Sequence, residues 1–124
     1  MHDALELGLP FTFHTDSPVI EPNLFESVWC AATRITRAGV QLDPAQRVGI
    51  YDGLQAVTVN AAAQYGELNR KGTLEVGKLA DLAIVARNPL DCDVSPDSAA
   101  SPTALRNLQV LATIKAGRLI WQHS

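Results

Sequence analysis

The chain has 124 residues, with 13 acidic against 10 basic side chains and a formal net charge of −3; it is one domain at most, with no basic surface for nucleic acid or another polyanion. No apolar stretch reaches the length of a membrane span, and Met1 to Glu6 lacks the basic start and apolar core of a signal peptide. Cys30 and Cys92 show neither CxxC spacing nor a multi-cysteine framework, so they read as free thiols of a cytoplasmic protein.

The apolar run Leu9-Pro10-Phe11-Thr12-Phe13 reads as a strand that delivers His14-Thr15-Asp16-Ser17-Pro18 to a loop. Alternation along a strand puts Thr12, His14 and Asp16 on one face and Phe11 and Phe13 on the other. Pro18 has no N–H for a ladder and biases Ser17 towards extended backbone, so Asp16 is expected at the strand's C-terminal rim. In α/β proteins that rim is where chemistry is done. An acid before Ser-Pro also serves as a plain turn former, and His14 as an ordinary hydrogen-bonded histidine.

A helix is expected from Asn23, its cap, with Glu26 three residues on as in a capping box, to Gly39. Leu24, Phe25, Val28, Trp29, Ala32 and Ile35 recur along it at helical spacing, and Trp29 reads as a packing residue. After Asp43, a short turn over Pro44 to Arg47 leads to a helix from about Tyr51 to Tyr65, closed by Gly66, although Gly49 and Gly53 weaken its start. Ile50, Leu54, Val57, Ala61 and Tyr65 make its stripe.

From Gly72 the pattern turns to short strands. Thr73 to Val76 is one and Ala80 to Ala86 another, the second apolar enough to be covered on both faces, with a turn at Gly77-Lys78 between them and a stop at Asn88-Pro89. Residues 91 to 103 are loop chemistry, rich in Asp, Ser, Pro and Ala. Leu108 to Gln122 reads as a hairpin turning around Lys115-Ala116-Gly117-Arg118, where Gly117 supplies positive φ. Trp121 reads as a packing residue, and Lys78 and Asp81 as structural groups of the tail.

Four motifs in this order, His14-Thr15-Asp16-Ser17-Pro18, Ala31-Ala32-Thr33-Arg34, Thr58-Val59-Asn60-Ala61-Ala62 and Gly72-Thr73-Leu74-Glu75-Val76-Gly77-Lys78-Leu79-Ala80-Asp81-Leu82, closely resemble the C-terminal part of the amidohydrolase superfamily, in the branch of the N-substituted formamide deformylases. The resemblance implies an α/β fold class. Residues 1–66 would be the last strand and helices of a TIM-type (β/α)8 barrel, and residues 67–124 a β-rich segment of a small accessory domain. It further implies a metal-dependent hydrolase acting on a non-peptide C–N bond of a small amide or formamide substrate. Asp16 matches the acid that binds the metal and shuttles the proton, and the metal would be divalent, zinc foremost. His14 carries no defined family role; its place beside Asp16 makes it a candidate for substrate contact.

A whole barrel takes about 250 residues, and a metal site about three or four protein ligands. Here there is no His-x-His pair and no His-Glu-x-x-His. By itself the chain is therefore expected to be inactive, a piece whose remaining ligands lie elsewhere. Its open strand edges would invite self-association. The alternative is a non-catalytic folding or interaction module that kept the helices and β tail.

Overall fold

The computed structural model describes residues 1–95 and 103–124. Its helices are α1 (His2–Glu6), α2 (Leu24–Thr33), α3 (Ile50–Val57) and α4 (Val59–Gln64), with 3-10 turns at Pro44–Gln46 and Pro89–Asp91. The strands β1 (Leu82–Val85), β2 (Val110–Lys115) and β3 (Arg118–Gln122) form one antiparallel sheet in the order β1-β2-β3. The expected loop over residues 91 to 103 lies outside the described residues from 96 to 102.

Helix α2 begins at its expected cap. The Asn23 side-chain oxygen accepts the N–H groups of Phe25 and Glu26 at 3.1 and 3.3 Å, which satisfies two donors that a helix start leaves open. Glu26 does not complete a capping box, because the Asn23 N–H is taken by the Glu21 carbonyl and the Glu26 carboxylate pairs with Arg106 at 2.6 Å. The helix stops at Thr33, six residues short of Gly39. The Thr33 hydroxyl donates to the Trp29 carbonyl at 2.9 Å, the Gln41 side chain donates to the Thr33 carbonyl at 2.9 Å, and Arg34 turns left-handed at φ 58°. Residues 35–41 instead close a loop through an Ile35–Gln41 bridge, and Gly39 takes φ 77° within it.

The single helix expected over 51–65 is two helices. Thr58 sits between them at φ −123° and ψ −90°, its hydroxyl donating back to the Leu54 carbonyl at 2.7 Å, a bond that competes with regular helix backbone. Gly53, which weakens helix propensity, is where α3 crosses α2: a Cβ there would lie 2.7 Å from Cγ1 of Val28.

The core gathers Val28, Trp29, Cys92 and Leu105, with Phe13, Phe25, Leu54 and Val94 packed against it. Arg106 ties the segment after residue 103 to α2, since its guanidinium lies 5.4 Å from the Trp29 ring centroid while it pairs with Glu26. The Asn23 amide also donates to the Arg106 carbonyl at 3.0 Å.

Three strand expectations are corrected. Leu9–Phe13 joins no ladder; no strand lies beside it among the described residues, and the Phe11 carbonyl is bonded instead by the Asn60 side chain at 3.1 Å. Thr73 to Val76 is irregular, a bend at Thr73 and a turn beginning at Val76, with Lys78 pairing to Glu75 and donating to the Thr73 hydroxyl. Strand β1 is not covered on both faces, for Ala83 and Ile84 are exposed. The open edges that were expected on the first strand therefore lie on β1 and β3, and every residue of β3 is exposed, Trp121 included. The hairpin itself forms as expected: β2 and β3 pair across Ala116 and Gly117, and the Asp81 carboxylate accepts the Ala116 N–H at 2.7 Å.

Candidate active site

Although it pairs with no strand among the described residues, the segment that carries His14 and Asp16 is anchored. The Thr12 hydroxyl donates to the Gln64 side chain at 2.7 Å, Asn60 holds the Phe11 carbonyl, and the Phe11 and Phe13 rings lie 5.5 Å apart. Extended backbone ends at Asp16, which adopts φ 52°. Asp tolerates this left-handed region because its short polar side chain suits it. A turn follows, closed by the Val19 N–H on the Asp16 carbonyl at 2.8 Å, with a cis bond at Ser17–Pro18.

Asp16 and His14 are both exposed. Among the described residues no hydrogen bond or ion pair engages the Asp16 carboxylate, so it is open to an external partner. His14 helps to line a cavity of about 310 Å³, with Thr12 and Phe13 beside it and Glu26, Cys30 and Arg34 across from it. Asp16 is not among the lining residues. The left-handed turn breaks the alternation that would have kept the two side chains on one strand face.

Sequence reasoning passed over the α2 side of this cavity. The signal was present in part, because Glu26 and Cys30 are spaced four apart and so share one face of α2, while Arg34 follows at its left-handed cap. Partial burial, reinforced by the Glu26 carboxylate, pushes the Cys30 thiol up from its ordinary value, with Arg106 and Arg37 acting in the opposite sense. Such a thiol stays protonated at neutral pH and is a poor nucleophile. Both cysteines are free.

A larger groove, of about 580 Å³, runs between α4 and the sheet and contains neither Asp16 nor His14. Among the described residues, no group of three or more His, Cys, Asp or Glu side chains converges on a point that could hold a metal ion. The donor set around Asp16 is one carboxylate with one imidazole nearby in sequence, and it does not fit a metal unaided. No helix of the described residues is long and apolar enough to cross a membrane.

A family model described as the Amidohydrolase family matches residues 1–121. The chain belongs to that family. It is similar to the N-substituted formamide deformylase of Arthrobacter pascens, with 32% identity over 124 residues that make up 100% of this chain and 21% of that protein. The chain thus spans about a fifth of the length of this curated relative. No solved structure matches it.

Proposed function

We propose that these 124 residues are the C-terminal part of a cytoplasmic hydrolase that cleaves a non-peptide C–N bond of a small amide or formamide, with Asp16 as its contribution to the reacting centre. In this reading residues 1–66 belong to a barrel and residues 67–124 to an accessory β-domain. Asp16 is one ligand of a divalent metal, zinc foremost, whose other ligands lie outside this chain. The observation that carries the proposal is the Asp16 carboxylate itself: exposed, unpaired among the described residues, and fixed at the end of an anchored segment by a left-handed turn. The family match over residues 1–121 supports it.

A carboxylate so placed is suited to proton transfer. It can take the proton of an attacking water and return it to the departing nitrogen, the exchange that C–N hydrolysis requires. His14, two residues earlier, would meet the substrate side. Among the described residues no group of three or more His, Cys, Asp or Glu side chains gathers to hold a metal ion, so the isolated polypeptide is expected to be inactive.

The test is a chimaera in which residues 1–124 replace the matching fifth of the A. pascens deformylase. We expect hydrolysis of an N-substituted formamide by the chimaera, and a fall of at least about 10²-fold in kcat with Asp16→Asn, the scale of a lost proton-transfer group. A folded Asp16→Asn chimaera with undiminished turnover would overturn the assignment. A chain 1–124 that folds on its own beside a folded but inactive chimaera would favour the non-catalytic module.

A further inference from the structure

We infer that Asn60 and Gln64 of α4 are positioning residues for Asp16, an inference that rests on the reading of Asp16 as part of a reacting centre. Among the described residues, the backbone of residues 10–15 makes no hydrogen bond to another backbone group. Two side chains on one face of α4 hold it instead. The Asn60 amide donates to the Phe11 carbonyl at 3.1 Å, and one turn further on the Gln64 side-chain oxygen accepts the Thr12 hydroxyl at 2.7 Å. Residues four apart lie one above the other on a helix, so two consecutive residues of the segment are gripped by two consecutive turns. One contact fixes a point, whereas two fix a point and a direction.

The hold reaches Asp16. From Thr12 to Asp16 is about 13 Å of extended chain, held by α4 at Thr12, by the core at Phe13, and at Asp16 by the turn that the Val19 N–H closes. Helix α4 is itself seated from another side, where Gly72 comes so near that a Cβ on it would lie 2.6 Å from Cβ of Ala62 and 3.2 Å from Cα of Val59. The choice of residue points the same way. Asn favours a helix less than the Ala that follows it at Ala61, Ala62 and Ala63, and its half-buried amide is given to a carbonyl 49 positions away in the chain. The bond also leaves room for a neighbour. A carbonyl oxygen has two lone pairs, so the Phe11 carbonyl can accept from a strand outside residues 1–124 while Asn60 still holds it. Thr58-Val59-Asn60-Ala61-Ala62 thereby gains a task at the reacting centre, beyond forming the start of α4.

The test uses two isosteric changes, each of which removes one contact. Asn60→Asp replaces the amide donor by a carboxylate that only accepts hydrogen bonds, and an acid in the first turn does not weaken a helix. Thr12→Val removes the hydroxyl and keeps the branched shape. In chain 1–124, backbone amide relaxation is expected to give order parameters of about 0.85 for His14 to Asp16, falling below about 0.6 in either variant while α2 is unchanged. Equal values with and without the contacts, or a fall that α2 shares, overturn the inference. In the chimaera, Asn60→Asp is expected to lower kcat at least about tenfold, the scale of a displaced reacting group, and to change KM less than about twofold. It should lower kcat no further once Asp16→Asn is present, because two residues that act through one group are not additive. The same loss in the Asp16→Asn background, or a loss carried by KM, also overturns the inference. Unchanged order parameters beside a kcat that falls with Asp16→Asn remove the positioning role and leave the reading of Asp16 intact. Order parameters that fall as expected, beside a folded Asp16→Asn chimaera of undiminished turnover, uphold the hold on the segment and remove that reading, so the two can fail separately.

Discussion

Asp16 illustrates how much one backbone angle decides. At φ 52° it stands where most side chains are disfavoured, and Asp and Asn are among the few residues at ease there. Replacing it by Asn keeps the turn and removes only the charge, so Asp16→Asn separates chemistry from folding where Asp16→Ala would confound them. Asn23 is the second residue with more than one task, for it caps α2 through Phe25 and Glu26 and donates to the Arg106 carbonyl. Asn23→Ala is expected to destabilise chain 1–124 by about 1–2 kcal/mol, the worth of a cap plus one partly buried hydrogen bond. A urea midpoint that does not fall would show that the Glu26–Arg106 pair holds the helix start by itself.

At the scale of elements, the helix pair α2 and α3 is the part most tightly specified. Gly53 permits their approach, and a methyl group there would meet Val28, a β-branched side chain with no exposed surface and no room to yield. Gly53→Ala gains about 1 kcal/mol of helix propensity but overpacks at a cost of about 1–3 kcal/mol. The expected net result is a lower denaturation midpoint, and a rise in that midpoint would show that the helices separate freely. The sequence displayed the helix cap, the 3-10 turn at Pro44 and the β2–β3 hairpin because each rests on local chemistry: a side-chain acceptor, a ring-fixed φ, a glycine turn. It did not display the end of α2 or the break at Thr58. Those depend on threonine hydroxyls returning to carbonyls four residues back and on Gln41 reaching over from a later loop.

The strand expectation at Leu9–Phe13 failed for a reason that belongs to the whole molecule. Alternation can mark a segment as ready to pair, but pairing needs neighbours, and none lies beside this one among the described residues. The same lack explains the uncovered β1 and the wholly exposed β3. The turn at Asp16 was legible because its motif is short and contiguous. The cavity beside His14 was not, since it forms only when the segment before Asp16 lies across one face of α2.

In the proposed reading this chain brings one carboxylate to a metal site completed from outside it. Zinc binding to metal-free chain 1–124 and to the chimaera, measured by equilibrium dialysis, tests it most directly. We expect no stoichiometric zinc on the chain, bound zinc on the chimaera, and a weakened site in the chimaera carrying Asp16→Asn. One zinc held tightly by chain 1–124 alone, or a chimaera whose zinc is indifferent to Asp16→Asn, would contradict it.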